Sequence, residues 1–162
     1  MTPDRILARM AKECSKREYS SFDMRRKLTS WRVPSADIEY IVSSLEREGY
    51  ISDSRFAKAF AHDKFHLNGW GRLKIARALK LKELPDSCIQ AALAQIGESE
   101  YRQKLRSLLQ MKAAALADKP PLKQIVKLTA YGASHGFESE LIMAETGHVL
   151  NIDAGGPQEN IP

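Results

Sequence analysis

Residues 33–45 read VPSADIEYIVSSL, and residues 84–96 read LPDSCIQAALAQI. In the first stretch Pro34 stands ahead of Ser35 and Asp37, which suit the opening turn of a helix, where backbone N–H groups lack partners. Ile38, Ile41, Val42 and Leu45 then recur at helical spacing, and Glu48-Gly49 closes the segment. A shift of 51 residues lays one stretch on the other: Val33 falls on Leu84, Pro34 on Pro85, Ile38 on Ile89, Val42 on Leu93 and Leu45 on Ile96. The same shift carries Phe22 onto Leu73, Met24 onto Ile75, Arg26 onto Arg77 and Leu28 onto Leu79. Apolar sites in helices agree by chance often; two prolines at one offset do so less often, so the pattern is an internal repeat.

A third copy follows at an offset of 53, with Ile75 on Leu128, Leu84 on Phe137, Ile89 on Ile142 and Ile96 on Val149. Gly132 stands where the other copies have Leu28 and Leu79, and Pro120-Pro121 opens its second helix. Each copy has a leading helix. The first carries Leu7, Met10, Ala11 and Cys14; the second Phe56, Ala57, Phe60 and Ala61, with Asp53 as its cap; the third Leu105, Leu108, Leu109 and Leu116. Met24, Leu28 and Trp31 line the next helix of the first copy, and Asp86 or Ser87 caps the last helix of the second. No stretch alternates as a strand does. The expected fold is all-α, an elongated curved array of three tandem three-helix repeats over residues 1–49, 50–97 and 98–150. The tail, residues 151–162, NIDAGGPQENIP, has little to bury and reads as disordered.

Composition narrows the function classes. At 43% apolar and 28% charged residues, the chain has the make-up of a soluble globular protein. No apolar run approaches the roughly 18 residues a membrane span needs, and the N-terminal stretch is charged from Asp4 onward, unlike a signal peptide. Two cysteines, Cys14 and Cys88, make neither a disulfide framework nor a metal knuckle; each falls on an apolar helical stripe, and a reducing cytoplasm is the expected compartment. The formal net charge is +5. Between Asp53 and Lys82 the bases are Arg55, Lys58, Lys64, Arg72, Lys74, Arg77, Lys80 and Lys82, and the acids are Asp53 and Asp63, so this segment holds the whole excess. Such a cluster suits a polyanion or an acidic protein surface, and equally a solvated face.

Within the same segment His62 and His66 have the H-x-x-x-H spacing of a zinc protease helix. Asp63 stands where that chemistry needs a longer glutamate as general base, and the remaining histidines, His135 and His148, lie a repeat away. At about 100° per residue, Phe56, Ala57, Phe60 and Leu67 share one side of the helix, and both histidines lie nearly opposite beside Arg55. They are read as part of an exposed basic face, with no metal and no cofactor expected. No nucleophile elbow, phosphate loop or convincing carboxylate pair occurs, so the chain is not read as an enzyme.

After His66, Asn68-Gly69 stops the helix, Trp70 can wedge between two helices, and Gly71 lets the backbone turn before Arg72 starts the next. Residues 45–84, LEREGYISDSRFAKAFAHDKFHLNGWGRLKIARALKLKEL, resemble the central repeat of the RecX family of recombinase regulators. The resemblance rests on Glu48-Gly49-Tyr50-Ile51, on Asp53, Arg55, Phe56 and Ala57, and on Gly71, Lys74 and Ile75. It extends to Arg17-Glu18-Tyr19-Ser20 and Arg25-Arg26-Lys27-Leu28 in the first repeat, and to His135-Gly136-Phe137 in the third.

The resemblance implies an all-helical, three-repeat, non-enzymatic regulator. Such a protein lies in the groove of the RecA filament on single-stranded DNA and restrains its recombinase, ATPase and coprotease activities, in recombination, repair and the SOS response. The contact residues it suggests are Arg25, Arg26, Lys27, Arg55, Lys64, Arg72, Lys74 and Arg77, acting through charge. Trp31 and Trp70 are read as packing anchors at helix joints. A monomer is expected, with weak direct DNA binding. A stand-alone helical DNA-binding protein and an adaptor solenoid for another protein remain open from the residues themselves.

Overall fold

The computed structural model describes residues 1–152; the expectation of a disordered tail concerns residues that lie, from 153 on, outside the described ones. Among the described residues the fold is all-α. Its helices are α1 (Pro3–Cys14), α2 (Ser21–Ser30), α3 (Ser35–Arg47), α4 (Asp53–Asn68), α5 (Arg72–Leu81), α6 (Asp86–Ala94), α7 (Glu98–Ala115), α8 (Pro121–Ser134) and α9 (Ser139–Val149). None is long and apolar enough to cross a membrane.

The repeat is visible in backbone geometry. Arg32, Glu83 and Gly136 occupy equivalent places in the three copies, and all have positive φ (60°, 59° and 89°). In each turn the next N–H reaches back five residues to a helix carbonyl: Val33 to Leu28 (3.1 Å), Leu84 to Leu79 (3.4 Å) and Phe137 to Gly132 (3.2 Å). This left-handed cap satisfies carbonyls that the ending helix leaves unpaired. An extended residue then starts the following helix, namely Pro34, Pro85 and Glu138 with ψ of 145°, 146° and 141°. Gly132 replaces a leucine because α9 packs closely: a Cβ there would lie 2.9 Å from the Ile142 side chain.

The chain divides into two compact units, one of Met1–His62 and Ala78–Gln95, the other of Asp63–Arg77 and the chain from Ile96 on. In the first, α3 packs against α1 and α2 around Met10, Met24, Leu28, Ile41, Val42 and Leu45, all fully buried. Each such side chain stabilises the fold by about 1.5–3 kcal/mol. In the second, α7, α8 and α9 pack on one another. Tyr101 is buried there between Phe65 and Phe137, with ring centroids 5.8 and 4.9 Å away.

Four local expectations are corrected. Asp53 does not cap α4, whose first turn uses the Ser52 hydroxyl, an acceptor for Arg55 N–H. The Asp53 carboxylate instead accepts from the backbone N–H and the hydroxyl of Ser21, both at 2.8 Å, and so caps α2. Neither Asp86 nor Ser87 caps α6, where Pro85 holds the cap position without a side-chain bond. Leu67 is 80% exposed, while Phe65 is fully buried. The buried row on α4 runs Ala57, Ala61, Phe65, an i, i+4, i+8 ridge that has turned away from Leu67 by the last turn. Trp31, expected as a buried anchor, is 39% exposed. Cys14 and Cys88 are half-buried, and burial raises the Cys14 thiol pKa above its ordinary value.

Candidate functional site

The joint between α4 and α5 builds the site. Gly69, at φ 68°, ends α4, and the Trp70 N–H reaches back to the Lys64 carbonyl at 3.0 Å. That return lays the indole against Lys64, whose ammonium stands 4.9 Å from the ring centroid. The Lys74 ammonium on α5 stands 4.7 Å from the same centroid. Two cations therefore share one half-buried indole, which attracts each through its ring quadrupole and covers their apolar stems.

The start of α5 is fixed by partners for its N–H groups, which have none within the helix. Gly71 N–H donates to the His135 carbonyl (2.7 Å), Arg72 N–H to the Tyr101 hydroxyl (2.8 Å) and Leu73 N–H to the Gly136 carbonyl (3.0 Å). Gly71 is a glycine because its backbone touches that of Gly136: a Cβ would come within 2.6 Å of the Gly136 carbonyl carbon and 2.7 Å of the Phe137 nitrogen. Beside this contact Leu73, Lys74, Arg77, Ala133, Ser134 and Gly136 line a shallow depression of about 360 Å³. Lys74 Nζ reaches the Ser134 carbonyl at 3.4 Å, Arg77 is exposed and Leu73 is 56% exposed.

The eight predicted contact residues take different roles. Lys64, Lys74 and Arg77 come together around Trp70 and the depression. Arg72 does not present its charge outward. Its guanidinium lies 3.8 Å from the Tyr101 centroid and bonds Glu98 (2.8 Å) and Glu138 (3.0 Å), while the Tyr101 hydroxyl donates to Glu138 at 2.5 Å. Arg72 thereby holds the Glu98 carboxyl below its usual range, and burial, followed by the bond to Glu138, pushes the Tyr101 phenol well above its ordinary value. Arg55 bonds Glu18 at 2.6 Å and the carbonyls of Gly49 and Tyr50, holding the loop before α4. Arg25 makes a two-pronged bond to Glu39 at 2.9 and 3.1 Å, and that bond keeps Glu39 below its usual pKa. Lys27 lies 3.8 Å from Glu13 and 3.4 Å from the Tyr19 hydroxyl. Arg26 is exposed, 5.9 Å from the Phe22 ring. Lys82, counted in the basic excess, is held by both Asp23 oxygens at 2.9 Å. The positive face is thus smaller than the charge count suggests.

His62 is exposed, and His66 sets its ring edge-on to Phe65 at 4.9 Å, 3.9 Å from Glu100. Among the described residues no three His, Cys, Asp or Glu side chains are grouped to hold a metal ion. Sequence reasoning missed Tyr101, Glu138 and Gly136 as builders of the site. Gly136 was open to discovery, because the repeat places it on the turn residues Arg32 and Glu83. The Tyr101–Glu138 pair carried no local signal.

Comparison with known proteins agrees with the repeat geometry. Residues 52–93 match a family model described as RecX, second three-helix domain. A protein named regulatory protein RecX from Haemophilus influenzae (strain PittEE) is 27% identical over 127 residues, 78% of this chain and 82% of its own. One of the same name from Ralstonia pickettii (strain 12J) is 25% identical over 146 residues, 86% of this chain and 85% of its own. A third, from Ralstonia nicotianae, is 31% identical over 98 residues, 60% of each chain. The crystal structure of RecX from Lactobacillus salivarius superimposes with a TM-score of 0.82 over 93% of this chain and 97% of that one, at 17% identity, which shows the shared fold. With the central-repeat motif, the recurring helix turns and these relatives together, the chain is similar to RecX regulatory proteins, most specifically over residues 52–93.

Proposed function

We propose that this protein binds the RecA–single-stranded DNA filament and restrains its recombinase, ATPase and coprotease activities without catalysing a reaction itself. The likeness to RecX regulatory proteins suggests the partner. The observation that carries the site is the Lys64–Trp70–Lys74 sandwich with Arg77 on the adjoining turn of α5, rigidly mounted by the Gly71–Gly136 contact. Cations held on an indole lose little freedom on meeting an acidic surface or phosphates, so their charge is presented ready for contact. Arg72 belongs to the mounting and not to the contact. In this reading the working units are the repeats at 1–49, 50–97 and 98–150, and the protein acts as a cytoplasmic monomer.

The test is ATP hydrolysis by the cognate RecA on single-stranded DNA, with this protein titrated in below stoichiometry. Wild type is expected to suppress hydrolysis, and a Lys64→Glu, Lys74→Glu, Arg77→Glu variant to suppress it at least ten-fold less effectively. Equal suppression by both removes the site while leaving the function. No suppression by wild type at any ratio refutes the reading.

A further inference from the structure

A second depression lies in the first unit, about 600 Å³ in volume, lined by Ile6, Arg9, Trp31, Arg32, Val33 and Pro34 together with Met1. Its indole is 39% exposed. Trp31 follows the last residue of α2, and the equivalent place one repeat on is Lys82, a half-buried cation paired with Asp23. The repeat position itself therefore does not call for an aromatic ring. What surrounds it is cationic: the Arg9 guanidinium stands 4.8 Å from the ring centroid and the Lys27 ammonium 5.9 Å. Arg9 and Arg32 take part in no ion pair among the described residues, and no carboxylate lines the depression. Its volume falls in the range of small-ligand sites.

From a partly exposed indole, guanidinium groups outside any ion pair and an open depression of nucleotide size, we infer that this depression is a single-stranded nucleic-acid site. It takes a base against the Trp31 indole and the neighbouring phosphates against Arg9 and Arg32. Base–aromatic stacking tolerates any sequence and needs an unpaired base, so the site discriminates by strandedness. A duplex offers the phosphates but no free ring face. An acidic peptide offers charge but leaves the indole without a flat partner. The inference rests on the filament reading for its biological setting, yet its chemistry is measurable with the full chain alone.

The probe is a thymidine oligonucleotide. Trp70→Phe leaves Trp31 as the single tryptophan, and its fluorescence is expected to be quenched as the oligonucleotide saturates. Trp31→Ala is expected to weaken binding by roughly five- to 150-fold, the span that loss of one stacked base gives. Trp31→Phe retains most of the affinity. Arg9→Glu with Arg32→Glu weakens binding and flattens its salt dependence. Far-UV circular dichroism checks each fold. Unchanged binding by Trp31→Ala overturns the site, as does absent quenching in the Trp70→Phe protein. A duplex or polyglutamate that displaces the oligonucleotide equally well overturns the assignment to single strands. Failure of this experiment leaves suppression of RecA untouched, and failure of suppression leaves the oligonucleotide result standing, so the two readings fail separately.

Discussion

Gly136 and Glu83 occupy the same turn one repeat apart, with φ of 89° and 59°, yet opposite substitutions are expected to have opposite effects. In Gly136→Ala the new Cβ would sit 2.6 Å from the Lys74 nitrogen and 3.0 Å from its Cα, both backbone atoms that cannot rotate aside. The left-handed conformation costs a non-glycine residue about 1–2 kcal/mol. Moving the chains apart lengthens the Gly71–His135 and Leu73–Gly136 bonds, each worth about 1 kcal/mol. The stiffer unfolded chain returns about 0.5–1 kcal/mol. The sum is a loss of about 3 kcal/mol, or a melting temperature lower by about 6–12 °C. Glu83 is exposed, and Glu83→Gly relieves the conformational strain while adding unfolded-state freedom, for a gain of about 0.5–1 kcal/mol. Urea unfolding followed by circular dichroism, with the slope constant across variants, measures both. A Gly136→Ala protein within 1 kcal/mol of wild type, or a Glu83→Gly protein as damaged as Gly136→Ala, would refute the close-contact reasoning.

Two further outcomes follow from single polar groups. Asp53→Ala removes both bonds that hold the start of α2 and is expected to cost about 1–2 kcal/mol in the same assay, whereas a local cap of α4 would leave Ser21 unaffected in amide exchange. The Tyr101 phenol has a raised pKa in the folded protein, so its neutral form contributes stability that is complete below about pH 10, the unfolded value, and is lost as pH climbs beyond it. A pH series of melting curves should therefore show wild type falling faster above pH 10 than Tyr101→Phe, and parallel curves would contradict the assignment.

The helices, their order and the repeat were legible in the sequence, because apolar spacing and the proline–glycine punctuation act through local backbone preferences. Leu28, Leu79 and Gly132 fall on one register in the sequence, and the structure gives all three the same cap. Position on a face was less legible. An angle measured from Phe56 puts Leu67 on the buried side, but the packing ridge drifts along α4 and buries Phe65 instead. Charge was the least legible of all. A count of lysines and arginines treats every cation alike, whereas the folded chain pairs Arg25, Arg55, Arg72 and Lys82 with Glu39, Glu18, Glu98 with Glu138, and Asp23. Those partners lie from 14 to 66 residues away in sequence. The sequence by itself determined the all-helical repeat, since each turn and stripe is a short-range matter. Only the tertiary structure decided which cations hold the fold, because ion pairing depends on through-space distances that folding alone sets.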